Sequence, residues 1–422
     1  MNLEDTATLP ARLAGGANRR QFLVGSAATA AGIFAAAAAV EPALANAIGA
    51  GERACCPTRI AVPLATPAAT LADLSVGNAQ AIKIADSSDF IKRARQATQE
   101  LANRLPDQTI RRATLDLLGN PAPTYFLKAP TDTDKAQVRQ ELLNAGLIPA
   151  ATTVEGIYPP VADPHQAPQA FWSAPGSTYS GHHPYPGGLA VHEWVNATLA
   201  AGYVDTYGKV YQLTSRPDAI DESIARGAPL WHDLNKVTVF QWNSDGSELI
   251  EQVIADTGAH HPTSGAEAIV RGMSPAFVIA LLSAHDPPTA TRANARLVNY
   301  LRAAAIIARV DPVAAGLLKR LPDGTWVLAQ DPPHIEGYVN HLSDHDFVLS
   351  GDTAAILIGL LQQLAPDFGI NPATQTARFN LFRNLVLSQL SDFRLYGYLL
   401  TGGQAAVKAA IQRLDLRQLQ TP

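Results

Sequence analysis

Five segments, taken in order along the chain, each set histidine or aspartate at the edge of an apolar helical run. The first, residues 180–194, reads SGHHPYPGGLAVHEW: His182 and His183 beside a Pro-Gly-Gly turn, then His192 one turn into an apolar stretch. The second, 231–236, reads WHDLNK and puts His232 and Asp233 together with Lys236 one turn on. The third opens at His260-His261 in HHPTSGAEAIVRGM, the fourth ends LLSAHDPP at His285-Asp286, and the fifth places Asp311 just past a helical stripe. Neutral imidazole and carboxylate are the usual protein ligands of divalent ions of intermediate hardness. One such residue is ordinarily a satisfied polar side chain; an ordered series on successive helices constrains the fold to hold them together.

Apolar spacing supports helices throughout and strands almost nowhere, so the fold class expected is all-α. A helix is predicted over 86–118, where Phe90, Ile91, Ala94, Ala97, Leu101 and Leu105 recur at threes and fours, and a shorter one over 135–145 ended by Gly146. Residues 150–180 carry many prolines with Tyr158, Phe171, Trp172 and Tyr179, and read as a long ordered loop covering something. Further helices are predicted over 189–202, 217–236, 247–256, from Ser274-Pro275 to His285, and over 291–310, where Leu297, Leu301, Ala304 and Ala308 form one stripe that Asp311 continues. Three closing helices are expected over 352–364, 377–395 and 404–416, with one small hairpin around Pro322-Asp323-Gly324 within 320–332. The organisation expected is a leader (1–47), a linker rich in Ala, Pro and Thr (48–80), a helical N-terminal region with the aromatic loop (81–179), a metal-binding core (180–315) and a helical C-terminal region packed on it (316–422).

The ordered set resembles the HD-domain metal-dependent hydrolases. HPYPGGLAVH is similar to that family's first-helix HYPGGL-x-x-H with one inserted proline, HDLNK to its HDIGK, and HPTSGAEAIVRGM to its HPxxGAEIL. LLSAHDPP stands where a helix ending in His-His-Glu is usual, so only His285 and Asp286 are present there. The resemblance covers roughly 180–315 and implies an HD-like helical bundle with helical flanks. It implies one or two divalent ions (Mn, Fe, Mg, Zn or Ni) on His192, His232, Asp233, His261, His285 and Asp311. Asp233 would bridge both ions. His260, His182, His183 and Tyr185 would serve as outer or substrate contacts, and Lys236 would act with Asp233 in catalysis by stabilising developing phosphoryl charge. The polar run His341, Asp344, His345, Asp346 is the rival source of the last carboxylate and reads as a solvated surface cluster.

Such an ion would lower the pKa of a bound water and clamp phosphoryl oxygens. The function expected is therefore a phosphohydrolase or phosphodiesterase acting on a small, phosphorylated molecule. A mixed-valence diiron oxygenase is the alternative, and a non-catalytic ligand-binding member is the third reading. With a net charge of −5 there is no domain-wide basic footprint and no nucleic-acid partner is expected.

Asn18-Arg19-Arg20-Gln21-Phe22-Leu23 resembles the twin-arginine export signature, followed by an uncharged run to Val40 and the small-residue run ALANA. The run is long enough to span a bilayer, but it is mostly Ala, Gly and Ser. A leader cleaved at Ala45 or Ala47 is expected, with export by the twin-arginine machinery to the periplasm or beyond and no stable membrane anchor. Cys55 and Cys56 are adjacent, a spacing that disulfide geometry fits poorly, and two cysteines are too few for a disulfide scaffold.

Overall fold

The computed structural model describes residues 70–179, 181–213, 220–288, 295–330 and 333–417. The leader, Cys55, Cys56 and most of the expected linker lie outside the described residues. Within them the architecture is predominantly all-α, with only two two-stranded hairpins.

The N-terminal helices are set by their caps. Helix α1 (Leu71–Ser87) starts on the Thr70 hydroxyl, and α2 (Asp89–Asn103) on that of Ser88. Ser88 also donates to the Ser388 carbonyl at 2.7 Å, tying this corner to the far end of the chain. The expected linker thus ends before residue 70: its last residues are helical because Leu74, Ala81, Ile84 and Ala85 fall on one buried face. The single helix expected over 86–118 is broken, because Pro106 cannot donate within a helix and Asp107 caps a new one, α3 (Gln108–Gly119). Helix α4 (Asp132–Asn144) opens on a reciprocal Thr131–Asp134 capping box.

The central element is α5 (Gly188–Tyr211), whose buried face carries His192, Glu193 and Asn196 among Leu189, Ala190, Ala197 and Ala200. Its sharp entry requires both glycines. Gly187 has φ +94°, and a Cβ on Gly188 would lie 1.9 Å from the His183 carbonyl oxygen. Against α5 pack α2 and α11 (Ile335–Ser343), and behind it come α8 (His260–Val270), α9 (Pro275–Leu282) and α10 (Ala295–Ile307).

Other expectations are corrected. Residues 217–236 are not one helix: 214–219 lie outside the described residues, α6 (Glu222–Gly227) is short, a 3-10 turn follows at Ala228–Leu230 around Pro229, and α7 (Lys236–Val239) is a single turn. Residues 247–256 form no helix. Trp242 bridges Glu248, and β1 (Val253–Ile254) pairs antiparallel with β2 (Thr257–Gly258) through left-handed Ala255 and Asp256. The other hairpin, β3 (Leu318–Arg320) with β4 (Trp326–Leu328), falls at the expected Pro-Asp-Gly turn, slightly earlier than predicted.

Helix α12 (Asp346–Leu364) begins six residues before the expected start. Ser391, at φ +57°, divides the expected 377–395 helix into α13 (Thr376–Leu390) and α14 (Asp392–Ile411), the latter kinked at Gly403. By length and mean hydropathy (1.4) the Ile335–Phe368 stretch could cross a membrane, but 56% of its most apolar window is buried inside the protein, as in a core helix.

Candidate metal centre

Asp233 lies at the middle of the site. Pro229 cannot extend α6, and the resulting turn carries His232 and Asp233 inward, where both are buried. Asp233 Oδ2 faces His192 Nε2 at 3.1 Å, His232 Nε2 at 3.4 Å and the Lys236 ammonium. Its Oδ1 faces His260 Nε2 at 3.1 Å and His261 Nε2 at 3.8 Å.

The carboxylate opposite belongs to Asp344. Its Oδ1 is 3.1 Å from His192 Nε2 and 3.2 Å from His232 Nε2, and its Oδ2 is 3.3 Å from His285 Nε2. Asp311 is not part of the cluster. The left-handed Arg309 turns the chain after α10, so the stripe of that helix stops short of Asp311. The Asp311 carboxylate lies on the surface, accepting from the backbone N–H of Val313 and Ala314 at 2.7 and 2.8 Å. The polar run expected at the surface supplies the last carboxylate instead. Asn340 and Asp344, four residues apart, share the buried side of α11 and its C-terminal end, while His345 is exposed and His341 is half-buried on the Ala284 carbonyl.

His260, expected as an outer contact, sits in the cluster beside His261. Three sets of ligand atoms converge here: Asp233, His260, His261 and His285; His192, His232 and Asp233; and His232, His285 and Asp344. Five buried atoms among them, Asp233 Oδ1, Asp344 Oδ2 and Nε2 of His260, His261 and His285, have no hydrogen-bond partner despite these short separations. Buried polar groups normally find partners. Lone pairs directed at shared space instead of at one another fit the donor set of a divalent cation, two imidazole-rich halves sharing one carboxylate.

The groups behind the ligands orient them. His232 Nδ1–H donates to the Pro229 carbonyl at 2.8 Å, and His260 Nδ1 bonds Glu251 at 2.5 Å, which leaves Nε2 of each ring facing inward. Glu193 is fully buried, with Oε2 3.5 Å from His232 Nδ1, and burial raises its pKa. Asn196 is on the cluster side of the ligands, its Nδ2 3.1 Å from His192 Nε2, a contact a cation on that nitrogen would replace, and it donates to Asp344 Oδ1 at 3.2 Å. Neither Glu193 nor Asn196 was singled out from the sequence. Their signal was position, one and four residues after His192 on the same helix.

Electrostatics follow from crowding. Burial is the largest single influence on Asp233 and Asp344 and would push both up, but it is outweighed jointly, by His232, Lys236 and His260 at Asp233 and by His232, His285 and the His192 contact at Asp344, so both lie well below the usual carboxylate range. Burial would depress His232, yet Asp233, Glu193 and Asp344 hold it well up. His261 is pushed well down by burial and by its His260 neighbour, and His285 is pushed to about 4 by burial.

Lys236 is buried, with Asp233, the Gly176 carbonyl and His182 Nε2 as partners for its three N–H groups. Gly176 belongs to the aromatic-rich loop, which is ordered and lies over α7: Gln169 donates to the Val237 and Phe240 carbonyls, and Trp242 Nε1 donates to that of Ser173. His182 packs its ring 4.4 Å from that of His192 and lies with His183 and His192 at ligand spacing. His183 is spent elsewhere. Its Nε2 is 2.8 Å from Asp346 and its Nδ1 3.0 Å from Asp392, with the Tyr185 hydroxyl 3.2 Å from Nδ1. Burial opposes its charge, but Asp392 and then Asp346 hold it up to about 9, so it is an imidazolium clamp between the starts of α12 and α14. Among the rings facing Asp233 and Asp344, His285 is the most exposed, at 29%, and Phe347 stacks on it at 6.0 Å.

In comparisons with protein-family models, with curated proteins and with solved structures, nothing matches this chain.

Proposed function

We propose that the chain is a metal-dependent phosphohydrolase or phosphodiesterase of HD-like type, exported by the twin-arginine route. The observation that carries this reading is the set of buried, partnerless carboxylate and imidazole atoms around Asp233 and Asp344. His192, His232, Asp233 and Asp344 would hold one ion, and Asp233, His260, His261 and His285 a second. A bound divalent ion supplies a water of lowered pKa and a Lewis acid for phosphoryl oxygens.

The chain's own residues do the rest. Lys236 neutralises Asp233 and fixes its orientation; with all three N–H groups engaged, it acts on substrate only by exchanging the His182 contact for a phosphoryl oxygen. Glu251 and the Pro229 carbonyl fix the His260 and His232 rings. A small substrate would approach on the side of His285, the most exposed of the rings facing the two carboxylates, where Phe347 stacks on it.

The test is metal analysis of protein purified without chelator, with hydrolysis of bis(p-nitrophenyl) phosphate and p-nitrophenyl phosphate before and after chelation. Metal-dependent hydrolysis of either supports the proposal. A loaded protein that cleaves neither and consumes oxygen belongs to the diiron alternative, which the imidazole-rich donor set would also suit.

A further inference from the structure

Helices α12 and α14 both start at the edge of the cluster. One ring joins their starts: His183 Nε2 is 2.8 Å from Asp346, the first residue of α12, and its Nδ1 is 3.0 Å from Asp392, the first residue of α14. That ring lies 6.0 Å from the His192 ring, and beyond it the two helices pack against each other. Each carries apolar side chains that the fold leaves uncovered. On α12, Val348 and Leu349 are 57% and 54% exposed, and Ile356 is exposed further along. On α14, Phe393 is exposed, and Leu400 is 68% exposed. Leu349 and Ile356 are two turns apart, as are Phe393 and Leu400, so each pair marks one helix face about 10 Å long. Tyr396 fills the α14 face between its pair, whereas the exposed Asp352 interrupts that of α12.

The near end of this apolar track is the site itself. The Phe347 ring lies 6.0 Å from that of His285 and 6.2 Å from that of His182, and the Phe393 ring lies 6.3 Å from that of His183. Exposed apolar residues scattered singly need no explanation, but stripes on two packed helices that begin at one polar cluster do. Ligand sites combine a few placed polar groups with a larger apolar lining. Here the polar groups lie in the cluster and the apolar lining leads out of it.

We infer that the substrate is a phosphate ester with an apolar chain, its phosphoryl group taken by the cluster and its chain laid along α12 and α14. A second copy of this chain could cover the stripes wherever they began; a substrate chain needs them to begin at the site, as they do. Asp352 repels a phosphate from the track, which fixes the direction in which such a molecule lies. The track residues set specificity and touch no reacting atom.

The inference rests on the hydrolase reading for the phosphoryl end alone, and the test separates the two. Ethylphosphonate and octylphosphonate, which a phosphoesterase does not cleave, are titrated below the micelle concentration into Mn2+-loaded full chain by calorimetry. Full burial of a methylene is worth about fourfold in affinity, and a surface track that covers one side about twofold. Wild type should therefore bind the octyl compound tighter on the order of 50-fold. The double variant Leu349→Gln, Leu400→Gln keeps helix propensity and should cut that preference to below about fivefold, with ethylphosphonate affinity and hydrolysis of bis(p-nitrophenyl) phosphate unchanged. Equal affinities in wild type would overturn the track, as would a double variant that keeps the wild-type preference. Equal affinities with a wild-type dimer that the double variant dissociates would give the face to a second copy, and with cosedimentation on phosphatidylcholine vesicles to a membrane. Chain preference in a protein that hydrolyses no phosphate ester would remove the hydrolase reading and keep the track; hydrolysis without chain preference would remove the track alone.

Discussion

Asp344 Oδ1 stands 3.2 Å from His232 Nε2 although 112 residues separate them, and through this pair α11 closes the cluster that the first three segments begin. Truncating Asp344 to alanine should lower metal affinity by more than the roughly 100-fold upper end seen for groups behind the ligands. Asp311→Ala should leave metal content at the wild-type level and cost about 1 kcal/mol, because it removes only a turn cap. Metal analysis with chemical denaturation distinguishes the two; metal loss in the Asp311 variant would return that residue to the site.

The His183 clamp makes stability depend on pH. Its folded pKa, about 9, lies above the ordinary 6.5, so its contribution is fully present below pH 6.5 and is lost as pH rises through about 9. The difference corresponds to about 3 kcal/mol. Metal-free protein should melt progressively lower across that window. His183→Gln should be destabilised by about 3 kcal/mol at pH 6.5, since it removes the cation between the half-buried Asp346 and the buried Asp392 carboxylates, and should lose the slope. A wild-type melting curve that is flat between pH 6.5 and 9 would refute the clamp.

Metal uptake should release protons. His232 and His260 are raised by their carboxylate neighbours, and a cation must displace the protons they hold. Apparent affinity should therefore weaken as pH falls, about tenfold per pH unit for each proton displaced. Calorimetry in buffers of different ionisation enthalpy counts the protons; zero release at pH 7 would contradict this protonation pattern.

Export is tested separately. Replacing Arg19-Arg20 by Lys-Lys should block it, and the exported protein should lack residues 1–45 or 1–47. Normal export of the double-lysine variant would exclude the pathway, and an intact leader on exported protein would exclude cleavage.

The helical class and the inward histidines were legible because apolar periodicity and the His-Asp pairs are local patterns. His192, His232, Asp233, His261 and His285 come together as the sequence indicates. Asp344 stands in the sequence only as a rival to Asp311 and reads as surface, since HLSDHD is polar in composition and only its i,i+4 relation to Asn340 marks a buried face. Asp311 misled for the converse reason: its spacing continues a stripe, but one left-handed residue ends the helix before that spacing means a shared face. The 247–256 error has a similar origin, because two left-handed residues make a hairpin tip that side-chain periodicity does not report. His183, classed with its neighbour from sequence, is separated from it by partners more than 160 residues away in the chain.

Asp233 faces both imidazole-rich halves of the cluster, so the proposed two-ion centre stands or falls with its carboxylate. The most direct measurement is metal stoichiometry of wild type, Asp233→Ala and His261→Ala after loading with Mn2+ and gel filtration, with thermal unfolding alongside. Wild type should hold two ions, His261→Ala should keep the ion on His192, His232 and Asp344, and Asp233→Ala should keep neither while remaining folded through its apolar helix faces. An Asp233→Ala protein that retains the full wild-type complement would contradict the two-ion centre.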